Sequence, residues 1–164
     1  MHVCVMPTGT QYCVNSGLAL PLSTWTTVTV TVNSIVGVMT VRLQGGVDGQ
    51  NSVLLPPPVQ NTWTSAIVYS SDPWHRAANA QIRNLQIGPI TGMTPRALPV
   101  TYYVQQPTPV MQGEVLGRVN LAMSYIVQFQ IRGVGNSDQS WRNILHMTTS
   151  GNAGPGQRIP GESA

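Results

Sequence analysis

Trp25-Thr26-Thr27-Val28-Thr29-Val30-Thr31-Val32 alternates apolar and hydroxyl side chains almost without a break. Successive side chains of an extended strand point to opposite faces, so a period of two puts Val28, Val30 and Val32 on a core face and turns the threonines outward. After a turn at Asn33-Ser34 the pattern resumes in Val36-Gly37-Val38-Met39-Thr40-Val41-Arg42-Leu43 and stops at Gln44-Gly45-Gly46. The two runs predict an antiparallel pair. Similar runs at 52–55, 64–70, 80–87, 125–131 and 142–148 predict further strands, and 77–80 has room for one helical turn. Short strands divided by Gly, Pro and Asn indicate an all-β protein, an antiparallel β-sandwich or jelly roll. A chain of 164 residues is long enough for one such core and too short for two.

Around that frame the chain divides into 1–88, a proline-containing linker at 89–113, and 114–164. The linker carries Pro89, Pro95, Pro99, Pro107 and Pro109, which favour extended or polyproline backbone, although Tyr102, Tyr103 and Val104 suit a sheet edge. Cys4 and Cys13 flank Pro7-Thr8-Gly9-Thr10. A hairpin centred on Thr8-Gly9 sets them opposite each other, where a cross-strand disulfide would imply an oxidising compartment; the alternative is two small buried thiols in a reducing one.

Composition removes several classes of function. Charged residues make up 8% of the chain, against roughly 25% in ordinary soluble domains, and such a neutral surface suits life among neighbours or under glycans. All eight basic residues are arginine, which excludes lysine chemistry. The net charge of +3 is spread over scattered arginines with no basic run, so no nucleic-acid partner is expected. No stretch has the length of an apolar membrane span, and the N-terminus has no secretory leader pattern.

Chemistry-bearing residues are sparse. His2, His75 and His146 lack ligand spacing, so no metal is expected. The acidic residues Asp48, Asp72, Glu114, Asp138 and Glu162 form no evident catalytic pair, and the glycine-rich 150–156 loop lacks the signature of a phosphate cradle. No catalytic residue and no cofactor are therefore assigned. Trp25, Trp63, Trp74 and Trp141 are aromatic platforms of the sort that stack on sugars, but a strand tryptophan more commonly fills the core. The candidate glycan contacts are Asp48 and Asn51 in one turn and Trp74, His75 and Arg76 in another. Thr101 and Thr108, in the linker, are candidate O-glycan acceptors, while Asn-x-Ser/Thr is absent.

Three stretches together resemble the laminin-G/concanavalin-A-like jelly-roll modules of large extracellular proteins of protists and algae. They are Ser124-Tyr125-Ile126-Val127-Gln128-Phe129-Gln130-Ile131 with Trp141-Arg142-Asn143-Ile144-Leu145-His146; Gly156-Gln157-Arg158-Ile159-Pro160; and Asp72-Pro73-Trp74-His75 with Ala80-Gln81-Ile82-Arg83-Asn84-Leu85-Gln86-Ile87. Relative to those modules the order is rotated: 1–88 resembles the C-terminal part of a sandwich and 114–164 the N-terminal part. The resemblance implies a circular permutant, one period of a tandem array whose neighbours complete each sandwich, or subunits exchanging halves. The array also accounts for a chain that opens into a strand without a leader. It implies a structural module of an extracellular filament or cell-surface appendage, something like algal flagellar hairs, that self-associates into a homopolymer or array. The alternative is a carbohydrate-binding lectin or adhesin domain.

Overall fold

The computed structural model describes residues 2–5, 12–55, 62–71, 73, 76–90, 101–135 and 142–148, and of residues 2, 5, 101 and 102 the backbone alone. Among them are twelve strands and no helix: β1 (His2–Val5), β2 (Tyr12–Asn15), β3 (Thr26–Asn33), β4 (Val38–Gly45), β5 (Gly49–Leu54), β6 (Trp63–Tyr69), β7 (Ala80–Pro89), β8 (Thr101–Val104), β9 (Thr108–Pro109), β10 (Val115–Leu121), β11 (Tyr125–Gly133) and β12 (His146–Thr148). A seven-stranded sheet runs β5-β4-β3-β11-β7-β8, with β9 also on β7; a second sheet runs β10-β6-β12, and β1-β2 is a separate hairpin. The predicted all-β sandwich is what forms.

The central strand pair carries the period of two into three dimensions. β3 and β11 are antiparallel with Val28 opposite Phe129 and Val30 opposite Val127, and all four side chains are buried. Met39, Val41 and Leu43 extend this layer on β4, and Ile82, Leu85 and Ile87 extend it on β7. Ala66 and Val68 of β6, Val119 and Leu121 of β10 and Val14 of the hairpin belong to the same apolar cluster, so the small sheet and the hairpin cover one face of the large sheet. One threonine departs from the expected outward orientation. Thr26 shares the parity of Val28 and is fully buried, and its Oγ1 has no hydrogen-bond partner.

Cys4 and Cys13 are register partners on β1 and β2, as the hairpin reading placed them, and form a disulfide, the first of the two alternatives. The bond suits an oxidising environment. Within the stretch read as a linker, β8 and β9 lie on the edge of the large sheet, with Pro109 opposite Gln81 and Val110 N donating to Ala80 O at 2.9 Å. An edge tolerates proline because one side of the strand needs no donor. The strand expected over 142–148 begins only at His146, and residue 77, placed in a helical turn by the sequence, instead bridges Asn143.

Tyr103 ties the two sheets together. Its hydroxyl donates to Arg118 O at 2.9 Å, and its ring lies where a Cβ on Gly117 would come within 2.8 Å of Cδ1 and Cε1. Glycine at 117 is therefore a packing requirement. Gly117→Val is expected to lower stability in urea unfolding by about 1–3 kcal/mol. Combining it with Tyr103→Ala should cost less than the sum of the single changes, because the removed ring vacates the space that valine needs. Additive costs would show that the ring does not pack on this glycine.

Burial also sets an alkaline limit. The Tyr125 phenol is pushed up from 10.0 to about 12 by desolvation, so the unfolded chain loses that proton first as pH rises. The folded state then binds more protons between about pH 10 and pH 12, and stability falls through that window. Guanidinium unfolding of Tyr125→Phe should show a shallower decline than the parent there and the same pH dependence below it.

Candidate binding face

The outer face of the large sheet is built by the parity left over from the core. On β3 it presents Thr27, Thr29 and Thr31, on β4 Thr40 and Arg42, on β11 Gln128, Gln130 and Arg132, and on β7 Gln81 and Arg83, none of them fully buried. Trp25, just before β3, shares the threonine parity. It is half-buried on this outer face, not core-filling as a strand tryptophan was expected to be, with the Arg83 guanidinium 4.1 Å and the Arg132 guanidinium 4.9 Å from its ring centroid. Both distances are within cation–π range.

Neutral amides hold these arginines. Arg83 Nε donates to Gln130 Oε1 at 2.7 Å, Asn84 Nδ2 donates to the same oxygen at 3.1 Å, and Arg132 Nη2 donates to Gln81 Oε1 at 2.5 Å. Gln130 Nε2 in turn donates to Thr27 Oγ1, and Gln128 Nε2 to Thr29 Oγ1, both at 3.4 Å. The network orients two guanidinium groups without cancelling their charge.

A bulge makes the convergence. Gln128 pairs with Gln86 and Gln130 with Arg83, so two residues of β7, Asn84 and Leu85, stand against Phe129. Asn84 takes the left-handed conformation (φ 52°) that absorbs the extra residue, Leu85 returns to the core, and Arg83 and Asn84 both reach Gln130. Bulges of this kind re-aim side chains.

The described residues among those singled out in the sequence fall elsewhere. Asp48 and Asn51 lie at the β4–β5 edge, where Asp48 Oδ1 accepts from Gly45 N at 2.9 Å and Asn51 Nδ2 donates to Asn15 O at 2.7 Å. Both side chains therefore serve local structure, beside a shallow open recess that Arg42, Gln44 and Gln50 help to line. Arg76 is exposed ahead of β7, and β4, β3 and β11 lie between that strand and β5. Trp74 and His75 lie outside the described residues. Thr108 is half-buried on β9, and Thr101 is described by its backbone in β8. Among the described residues no three His, Cys, Asp or Glu side chains group as metal ligands. Sequence reasoning missed Trp25, Arg83, Gln130 and Arg132 as a group. The parity of the valine run already aimed Trp25 outward, and adjacent polar residues at Arg83-Asn84 between Ile82 and Leu85 mark the bulge.

A second surface feature lies at the sandwich ends. Eight large apolar side chains are exposed among the described residues, and six sit at the two ends of the β3–β11 pair. Ile35 and Val36 in the β3–β4 turn, Leu54 and Met123 occupy one pole; the turn is held by Asn33 Oδ1, which accepts from Ile35 N at 3.1 Å, and by Ser34 N donating to Ser124 Oγ at 3.0 Å. Leu22 and Val134 occupy the other, where Leu22 bridges Gly133. The eight residues of β3 span about 26 Å between the poles.

The fold and these surfaces define the class of the chain as a disulfide-bearing all-β sandwich. Comparisons with protein-family models, with curated proteins and with solved structures found no match.

The bulge yields a direct test. Asn84→Gly, compatible with positive φ, should leave thermal stability within about 1 kcal/mol of the parent, whereas Asn84→Val should cost about 1–3 kcal/mol because β-branched residues are strained there. Equal effects in thermal unfolding would mean that the backbone at 84 does not need its left-handed conformation.

Proposed function

We propose that the chain is a structural module of an extracellular filament or cell-surface appendage, joined end to end through its two apolar poles. The observation that carries this reading is the position of the exposed apolar side chains. Ile35 is 82% and Leu54 77% exposed at one pole, Leu22 50% and Val134 54% at the other. Different surfaces at opposite ends of one axis make a heterologous contact, and such contacts propagate into filaments unless the rotation closes a ring. The partner is a second copy of this chain, since each pole offers apolar area that the other can cover. Low charge lessens repulsion between copies, and the disulfide fits the oxidising exterior. The resemblance to laminin-G-like modules of extracellular repeat proteins points the same way. No catalytic step belongs to this reading.

Sedimentation velocity over a range of concentrations tests it. The parent should associate as concentration rises, whereas Ile35→Glu/Val36→Glu and Leu22→Glu/Val134→Glu should each stay monomeric, and their exposed positions keep the folding cost small. A mixture of the two variants should stop at dimers, because each retains one intact pole. A parent that remains monomeric at high concentration, or a single variant that dimerises with itself, would overturn head-to-tail assembly.

A further inference from the structure

We infer that the outer face of the large sheet is a binding site for an acidic polysaccharide, one bearing carboxylate or sulfate groups. This inference stands apart from the pole-to-pole contacts proposed above, because it uses a lateral face and different residues.

Arginines on a protein surface are commonly met by carboxylates. Here Arg83 and Arg132 are met by the amides of Gln130 and Gln81, and Arg42, exposed on β4, adds a third guanidinium on the same face. Of the two described carboxylates, Glu114, whose Oε2 is buried, precedes β10, and Asp48 caps the turn beyond β4, where it shares a shallow recess with Arg42 but lies away from Arg83 and Arg132. Arg83 and Arg132 therefore hold oriented positive charge that no carboxylate among the described residues neutralises. With Nε of Arg83 held by Gln130, its terminal nitrogens are left to receive an anion in the forked geometry that suits carboxylate and sulfate.

The rest of the face fits a sugar chain. Threonine hydroxyls and glutamine amides can match ring hydroxyls, and the half-buried Trp25 offers apolar ring surface beside the two arginines. From Arg42 on β4 to Arg83 on β7 is three strand spacings, about 14 Å, which suits an extended oligosaccharide better than a single ring. Nucleic acid would call for a denser basic groove with several stacking platforms. A second copy of this chain carries the same net charge of +3, so like charge opposes its docking on this face. Charge and hydroxyl content together select the acidic glycan.

Affinity electrophoresis of the full chain in gels containing polygalacturonate, dextran sulfate or plain dextran tests the assignment. Retardation by polygalacturonate, by dextran sulfate or by both, with none by dextran, is the expected result, and which polymer acts identifies the anionic group. Arg83→Gln/Arg132→Gln should weaken binding by about tenfold or more, in keeping with loss of charge-assisted contacts. Arg42→Gln, at an exposed position with no side-chain hydrogen bond among the described residues to lose, should weaken it severalfold and guards against a misfolded double variant. Arg118→Gln on the small sheet should bind like the parent. Equal retardation by dextran, an equal loss in Arg118→Gln, or no retardation by either acidic polymer would overturn the site.

Discussion

Hydrogen bonding along both edges of β11, to β3 on one side and β7 on the other, is the constraint on which the remaining structure depends. It joins segments about a hundred residues apart, as in the Gln128–Thr29 contact, and fills the middle of the large sheet with Tyr125, Val127, Phe129 and Ile131. A strand paired on both edges cannot slip by one residue without turning all four of those side chains to the outer face. The same register that secures the core aligns Gln128, Gln130 and Arg132 with the outer threonines and with Gln81 and Arg83. Core and binding face are two readings of one alignment. Such non-local pairing also makes the sheet late to close during folding, since loop-closure entropy precedes the contacts that offset it.

Much of this was legible in the sequence because period-two alternation is a local signal. The β3 and β4 runs, the facing cysteines and most of the strand at 80–89 follow from neighbours alone. What was not legible depends on partners distant in sequence. β10 has apolar residues at Val115, Val119 and Leu121, but Gly117 interrupts them, and that glycine makes sense only beside the Tyr103 ring. Edge strands β8 and β9 read as linker because proline weakens every local strand signal, while an edge requires hydrogen bonds on only one side. Burial of the Thr26 hydroxyl follows from parity, yet nothing in the structure explains why a hydroxyl occupies that position.

The candidate binding face was not legible in the sequence for a related reason. Loops with Asp, Asn, Trp and His attract attention as binding elements, yet Asp48 Oδ1 and Asn51 Nδ2 are engaged in local hydrogen bonds. Residues that look like ordinary outward-facing strand positions gain a joint meaning only when β3, β11 and β7 lie side by side. The bulge at Asn84 then adds what a regular sheet could not, two consecutive outward donors on one acceptor.

The pole-to-pole contacts and the outer face are also compatible in space. The poles lie along the strand axis, whereas the face looks out at right angles to the sheet. Copies joined pole to pole would therefore leave every outer face uncovered, and repetition would set the same cationic surface at intervals of about one sandwich length. A long acidic polymer bound to one face would meet the next at high effective concentration, so weak single sites would combine into firm attachment. A modest face of three arginines and one tryptophan is then sufficient, because avidity arises from the repeat and not from the affinity of each bead.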